Sequence, residues 1–274
     1  MRVVLSRKGF DSGAGGCASP IVDGHPVSLP IPTEMPSSVT YRDLVGPFGA
    51  LVYDLTRGKI NADMSCHLDP DLDRSVVDRR LGWRGSLGQV GAAQSHLTNQ
   101  RVGEGDLFLF WGLFRDVSRN ERWDYSGPAQ HRIFGWLQVG EVLRIGSDPE
   151  AHLAEYPWLA GHPHLLRGWK GNNTVYVAQT NLSLGSIQTK LPGWGLFPNG
   201  LKLTAADSRG PSLWEMPRWL NPTRGGVGLS YNPRHRWLGD GRLQSAARGQ
   251  EFVADASDRQ DALAWLTELF REVK

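Results

Sequence analysis

Residues 103–142, GEGDLFLFWGLFRDVSRNERWDYSGPAQHRIFGWLQVGEV, limit what this chain can fold into more than any other stretch. Leu107–Phe114 and Arg132–Val139 are short, nearly unbroken apolar runs flanked by turn residues. Runs of that length read as buried strands. A polar loop carrying Arg115, Arg119, Arg122, Trp123 and Tyr125 joins them. Arginines interleaved with aromatics suit a phosphate and a stacked base; the plainer alternative is a hairpin loop with its Trp tucked onto the sheet.

Further elements gather around this pair. Val3–Leu5 reads as a strand, as do Leu201–Thr204 and Thr174–Ala178, where Val175 and Val177 face one side. Tyr41–Leu44 is expected to begin a short helix, and Ser147–Tyr156 is a further helical piece. Ser86 and Gln89 have capping-box spacing for a helix to about Asn99, with Leu87, Val90, Ala93 and Leu97 as its buried stripe. A second capping box, Ser257 and Gln260, opens a closing helix with Leu263, Leu266, Leu269, Phe270 and Val273 on its apolar face. Residues 19–40 are proline-rich and extended, and 181–250 look irregular. The expected fold is therefore α+β: a β-rich mixed sheet with peripheral helices and long irregular loops. At 274 residues it is expected to form a single elaborated domain, residues 1–274.

Composition excludes several classes. A net charge of +2 gives no overall basic field for nucleic acid, although local patches remain open. Only two cysteines, Cys17 and Cys66, argue against a disulfide framework. MRVVLSRKGF is too weakly apolar for a signal peptide, and no run reaches membrane-spanning length, so a cytoplasmic protein with no membrane partner is expected. Eleven Trp point to core or stacking roles.

No motif for a known reaction is present; the G-x-S-x-G elbow and the P-loop are both missing. Gly13, Gly15 and Ala18 fit G-x-G-x-x-[GA], but Pro20, Pro26, Pro30 and Pro32 follow where a helix should open, so a dinucleotide turn is rejected. The loop is then a surface turn needing positive φ, or one offering N–H groups to an anion. Asp69, Asp71 and Asp73 alternate, which in extended backbone aligns them on one face beside His67. Crowded carboxylates invite a cation, so His67, Asp69 and Asp71 form a candidate divalent-metal set; the alternative is a solvated turn. An EF-hand fails, since Arg74 and Arg80 stand where its glycine and glutamate belong. His162 and His164 flank Pro163 and would point the same way in extended chain, but no zinc-site spacing supports them. A second basic–aromatic group spans Arg209, Trp214, Arg218, Trp219, Arg224, Arg234, His235, Arg236 and Trp237.

Gly103-Glu104-Gly105-Asp106 entering Leu107–Phe110, with the later run Ile133–Val139, resembles PUA-like proteins of the ASCH and EVE types. That resemblance implies a small β-barrel core at about residues 100–180 that binds modified or flipped bases. LSRKGFDS, CHLDPDL, SHLTNQRVGEGDLFLFWGLFR, HRIFGWLQVGE, HPH before NTVYVA, and GLFPNGLKLTAADSRGPSLWEMP together resemble the bacterial and phage nucleotide modification associated domain proteins of the third type. This second resemblance implies a modified-base setting without naming a reaction, and directs attention to Arg7, Lys8, Asp11, His67, Asp69, Asp71, His96, Arg115, His131, His162 and His164.

Three functions follow as expectations. The first is an enzyme acting on a nucleotide or a base in DNA. Its catalytic candidates are His67, Asp69, Asp71, Asp11 and His131. Its substrate-binding candidates are Arg7, Lys8, Arg115, Arg119, Arg122, Trp123, Trp136, His162 and His164. The second is a non-catalytic reader of modified nucleic acid, with Trp111, Trp123 or Trp136 stacking on a base. The third, carbohydrate chemistry, requires paired carboxylates in one cleft.

Overall fold

The computed structural model describes residues 1–274 except Pro36, Ser147, Arg167, Glu272 and Lys274. Its main element is one mixed sheet of ten strands. In chain order these are β1 (Arg2–Arg7), β2 (Ser19–Val22), β3 (His25–Pro26), β4 (Ser86–Gln89) and β5 (Leu107–Arg119). Then follow β6 (Trp123–Tyr125), β7 (Gln130–Arg144), β8 (Thr174–Ala178), β9 (Trp194–Lys202) and β10 (Glu251–Asp255).

The two central strands form as expected and run further than their apolar cores, to 13 residues in β5 and 15 in β7. They pair antiparallel from Leu107↔Gln138 to Phe114↔Gln130. Their length lets each carry two shorter neighbours end to end. Parallel β1 and β2 line β5, and antiparallel β8 and β9 line β7. Beyond these, β10 pairs with β1 and β4 with β8, both antiparallel.

Alternation along the strands divides the core. Val4, Phe108, Phe110, Leu137, Tyr176 and Val253 pack together on one face. Val3, Leu5, Leu109, Trp111, Trp136 and Phe252 pack on the other. The first group spans the sheet from β10 to β8, so the sheet must curl around it. Its edges then come within side-chain reach: Gln89 of β4 donates to Glu251 of β10. No backbone ladder joins those edges among the described residues, so the sheet is curled but open, and the expected PUA-like barrel does not close.

Among the described residues, four α-helices surround it: α1 (Phe48–Leu55), α2 (Gly91–Asn99), α3 (Glu150–Glu155) and α4 (Gln260–Arg271). On α4, Leu266, Leu269 and Phe270 are buried against the outer face as the periodicity predicts, with Val273 packed beside them, while Ala262 is buried and Leu263 is only half-buried. Ser257 does not cap it; its N–H instead bonds Asp255 Oδ1. Ser86–Gln89 is a strand rather than a first helical turn. Its backbone is satisfied by β8, and the helix begins only at Gly91. Tyr41–Leu44 is a turn whose buried Tyr41 hydroxyl donates to the Pro30 carbonyl, and the helix lies later, in α1. Ser147, the expected start of the 147–156 piece, lies outside the described residues, and the helix there is the six-residue α3. No helix of the described residues is long and apolar enough to cross a membrane.

Candidate functional site: a histidine–carboxylate cleft

A cleft of about 420 Å³ opens where the curled sheet's two edges meet. From one edge come Arg7 and Lys8 at the end of β1, and Gln250 before β10. From the other come Gly88, Gln89 and Val90. His67, Asp69, His164 and Trp169 cover it, with Asp11 and Ala14 at the rim.

Asp69 is held by its backbone neighbour: Gly88 N donates to its Oδ1 at 2.6 Å. His162 Nε2 stands 3.5 Å from the same oxygen, and His67 Nε2 is 3.8 Å from Oδ2. His164 lies on β4 where Gly88 leaves space; a Cβ there would sit 2.1 Å from the imidazole Cδ2. Its ring stacks on Trp169 with centroids 4.3 Å apart. Asn173 Nδ2 donates to the His164 carbonyl, which orients its Oδ1 as acceptor for His164 Nδ1 at 2.7 Å. The His164 proton therefore sits on Nδ1, leaving a lone pair on Nε2. His162 has the opposite tautomer. Its Nδ1 accepts from the His164 backbone N–H, so Nε2 carries the proton toward Asp69.

Electrostatics sharpen this set. Burial works against the Asp69 charge, but the His162 contact and nearby His164 and Lys8 outweigh it and hold the carboxyl well below the usual range. Burial lowers His67, partly countered by Asp69. It pushes His164 down to about 4. Near neutral pH the cleft thus presents one carboxylate and two uncharged imidazoles. Lys8 Nζ is 3.4 Å from Glu251 Oε1, which also accepts from Ser6 and Gln89, while Glu251 Oε2 is buried without a partner.

Other expected site residues fall elsewhere. Asp71 is turned away from the cleft and clamped by both Arg79 Nη atoms, at 2.6 and 2.5 Å, beside a second cavity of about 570 Å³ that His162 also lines. Burial raises the Asp71 pKa despite that arginine. His67, Asp69 and Asp71 therefore do not form the expected metal set; His67, Asp69 and His164 do converge, with ligand atoms within 4.8 Å of one another. His162 and His164 both reach Asp69, their rings 5.9 Å apart, through a 3-10 turn at Pro163–Leu165 rather than an extended chain; only His164 lines the cleft, and His162 lines the second cavity.

Asp11 salt-bridges Arg7 at 3.4 Å, and its Oδ1 accepts from Gly13 N and Ala14 N. Those two amides are consequently occupied, and Gly15 adopts φ +78°, as a turn requires. His131 lies behind Arg7, packed on Trp111, with Nδ1 accepting from Trp214 Nε1 at 2.9 Å. His96 bonds Ser230 from α2.

The arginine-bearing loop becomes a hairpin of β5 and β6. Arg115 donates to the Gly127 carbonyl and lies over Tyr125, Arg119 lies over Trp123, and Arg122 pairs with Asp124. Trp123 packs toward α1, its backbone N–H donating to Asp54 Oδ2. None of these residues lines the cleft. Trp111 and Trp136 are 1% and 2% exposed and belong to the core, so neither offers a face to a base. In the second basic–aromatic group, Trp214, Trp219 and Trp237 are core and most of the basic residues around them are exposed. Trp169, Gly88 and Glu251 stand in no motif and Asn173 only opens NTVYVA; the fold brings Trp169 and Gly88 to the cleft wall, Asn173 behind His164 and Glu251 beside Lys8.

Fold and site first define a class: an α+β protein with an open curled sheet and a histidine–carboxylate cleft at its seam, rimmed by two cations. The chain belongs to the nucleotide modification associated domain 3 family, whose model matches residues 2–255. That family name ties it to nucleotide modification. No curated protein and no solved structure matches it.

Proposed function

We propose that this protein is an enzyme of a nucleic-acid base-modification system, acting on a nucleotide or on a base in DNA. One observation carries the reading. His67, Asp69 and His164 converge from segments far apart in sequence into a cleft that also holds Arg7 and Lys8. Charged and titratable groups gathered in a concave site, with shifted pKa values, mark candidate chemistry. Arg7 and Lys8 are the phosphate contacts, Trp169 is the aromatic wall, and His67 and His164, unprotonated near neutral pH, present free imidazole lone pairs to the cleft. A non-catalytic reader is less well supported, because the expected stacking and phosphate residues of the hairpin are engaged in local contacts. Carbohydrate chemistry gains nothing, since the Asp71 carboxylate is taken up by Arg79.

The test pairs binding with turnover. Purified protein is titrated with deoxynucleoside monophosphates and with DNA containing modified and unmodified bases, and treated samples are digested and examined by mass spectrometry. Arg7→Ala and Lys8→Ala should weaken binding at least about 10-fold, the loss of one or more charge-assisted contacts. His67→Ala and Asp69→Asn should abolish turnover. Binding that depends on Arg119 and Arg122, and not on Arg7 and Lys8, would sink the proposal in favour of a reader.

A further inference from the structure

We infer that His67, Asp69 and His164 bind one divalent transition-metal ion, through His67 Nε2, Asp69 Oδ2 and His164 Nε2. This goes beyond the enzyme reading, because such a centre is defined by its own ligands whatever the substrate.

The donor set points to the ion. Two imidazoles and one carboxylate favour a first-row transition metal over magnesium or calcium, which prefer all-oxygen shells. Three protein ligands facing a cleft leave coordination positions open, unlike a closed four-ligand structural site. The cluster holds no cysteine, and Cys66 is fully buried with Sγ toward the Val39 carbonyl.

The groups behind the ligands are those a metal site needs. The bond from His164 Nδ1 to Asn173 leaves Nε2 unprotonated and fixes the ring plane. Gly88 N bonds Asp69 Oδ1, with His162 Nε2 3.5 Å from the same oxygen, leaving Oδ2 toward His67. Gly88 is the one residue type at that position that admits the His164 ring. Bonds of about 2.0–2.2 Å bring ligand atoms roughly 3–4 Å apart, so the present spacing must contract by about an ångström. His67, with 13% of its side chain exposed, is the ligand with most freedom to close that gap.

The experiment uses the full chain stripped with a chelator, then titrated calorimetrically with Zn²⁺, Co²⁺ and Mg²⁺ separately. One Zn²⁺ or Co²⁺ should bind per chain, with Mg²⁺ far weaker. His67→Ala and Asp69→Asn should each weaken Zn²⁺ binding about 100-fold, given that even outer-shell changes cost 10–100-fold. Asp71→Asn should leave it within a few-fold. X-ray absorption at the zinc edge of the wild-type protein should show imidazole and oxygen ligands without sulfur, a readout that does not depend on variants folding. Absence of a bound ion, equal affinity in both ligand variants, or sulfur scattering would overturn the proposal. Nucleotide binding without any metal binding would overturn this centre while leaving the enzyme reading intact; metal binding without nucleotide binding would do the converse.

Discussion

Gly88→Ala would place one methyl group against the His164 ring. A Cβ at this position would stand 2.1 Å from His164 Cδ2 and 2.2 Å from Cγ. Ordinary carbon contact is about 3.6 Å, so the ring must retreat roughly 1.5 Å. It has little room, because Trp169 stacks on it at 4.3 Å and Asn173 holds Nδ1 at 2.7 Å. Overpacking of this kind costs about 1–3 kcal/mol, and a broken Asn173 bond adds about 1 kcal/mol. A total loss of about 2–4 kcal/mol is expected, measured as a lowered urea midpoint at unchanged slope. The clash has one partner, which makes a double-mutant cycle decisive. His164→Ala also destabilises, through its lost packing, but Gly88→Ala added to it should cost about 1–2 kcal/mol less than in the wild type. Strict additivity, or a Gly88→Ala protein within about 0.5 kcal/mol of wild type, would show that His164 does not lie against β4 as described.

Arg79→Ala should cost about 3–5 kcal/mol by leaving the Asp71 carboxylate buried without its cation, whereas Arg79→Ala with Asp71→Leu should recover much of that loss in the same urea assay. His131 is pushed down to about 4 by burial, then by Arg7, with Asp11 acting the other way. Its folded pKa lies below the unfolded value of about 6.5, so its stabilisation is present above pH 6.5 and is lost as pH falls toward 4, on the order of 3 kcal/mol. His131→Gln, which can still accept from Trp214, should flatten that part of the stability–pH curve; an unchanged slope would refute the assignment. Burial pushes the Cys66 thiol up to about 12, so it should resist a thiol reagent in the folded protein and react only after denaturation. Trp136→Ala should lower stability by about 3–5 kcal/mol without a selective loss of ligand binding, since its ring packs on Phe197 and Phe270.

Local chemistry made the central strand pair readable. The unbroken apolar runs of β5 and β7 are buried on both faces, and such strands advertise themselves without reference to the rest of the chain. The α4 stripe was legible for the same reason, because a 3.6-residue period survives any tertiary setting. Capping-box spacing misled twice: Ser86–Gln89 and Ser257–Gln260 have the right residue types, but β8 competes for the first backbone segment and Asp255 for the Ser257 N–H.

The candidate site divides along the same line. Sequence alone determined the reactive residue types and their grouping: the CHLDPDL and HPH segments supply His67, Asp69 and His164, and SRKGFDS supplies the cations. Only the tertiary structure decided which of them share a cleft. Alternation put Asp69 and Asp71 on one face, yet Asp71 turned to Arg79 because a buried carboxylate takes the nearest cation. Spacing aligned the two histidines of HPH, and a 3-10 turn brings both rings to Asp69 while leaving only His164 in the cleft. Trp169, Asn173 and Gly88 entered the site through the curl of a sheet whose edges are far apart in sequence. A chain's short-range pattern records what each segment buries, but which side chains meet across a seam depends on how far the whole sheet bends.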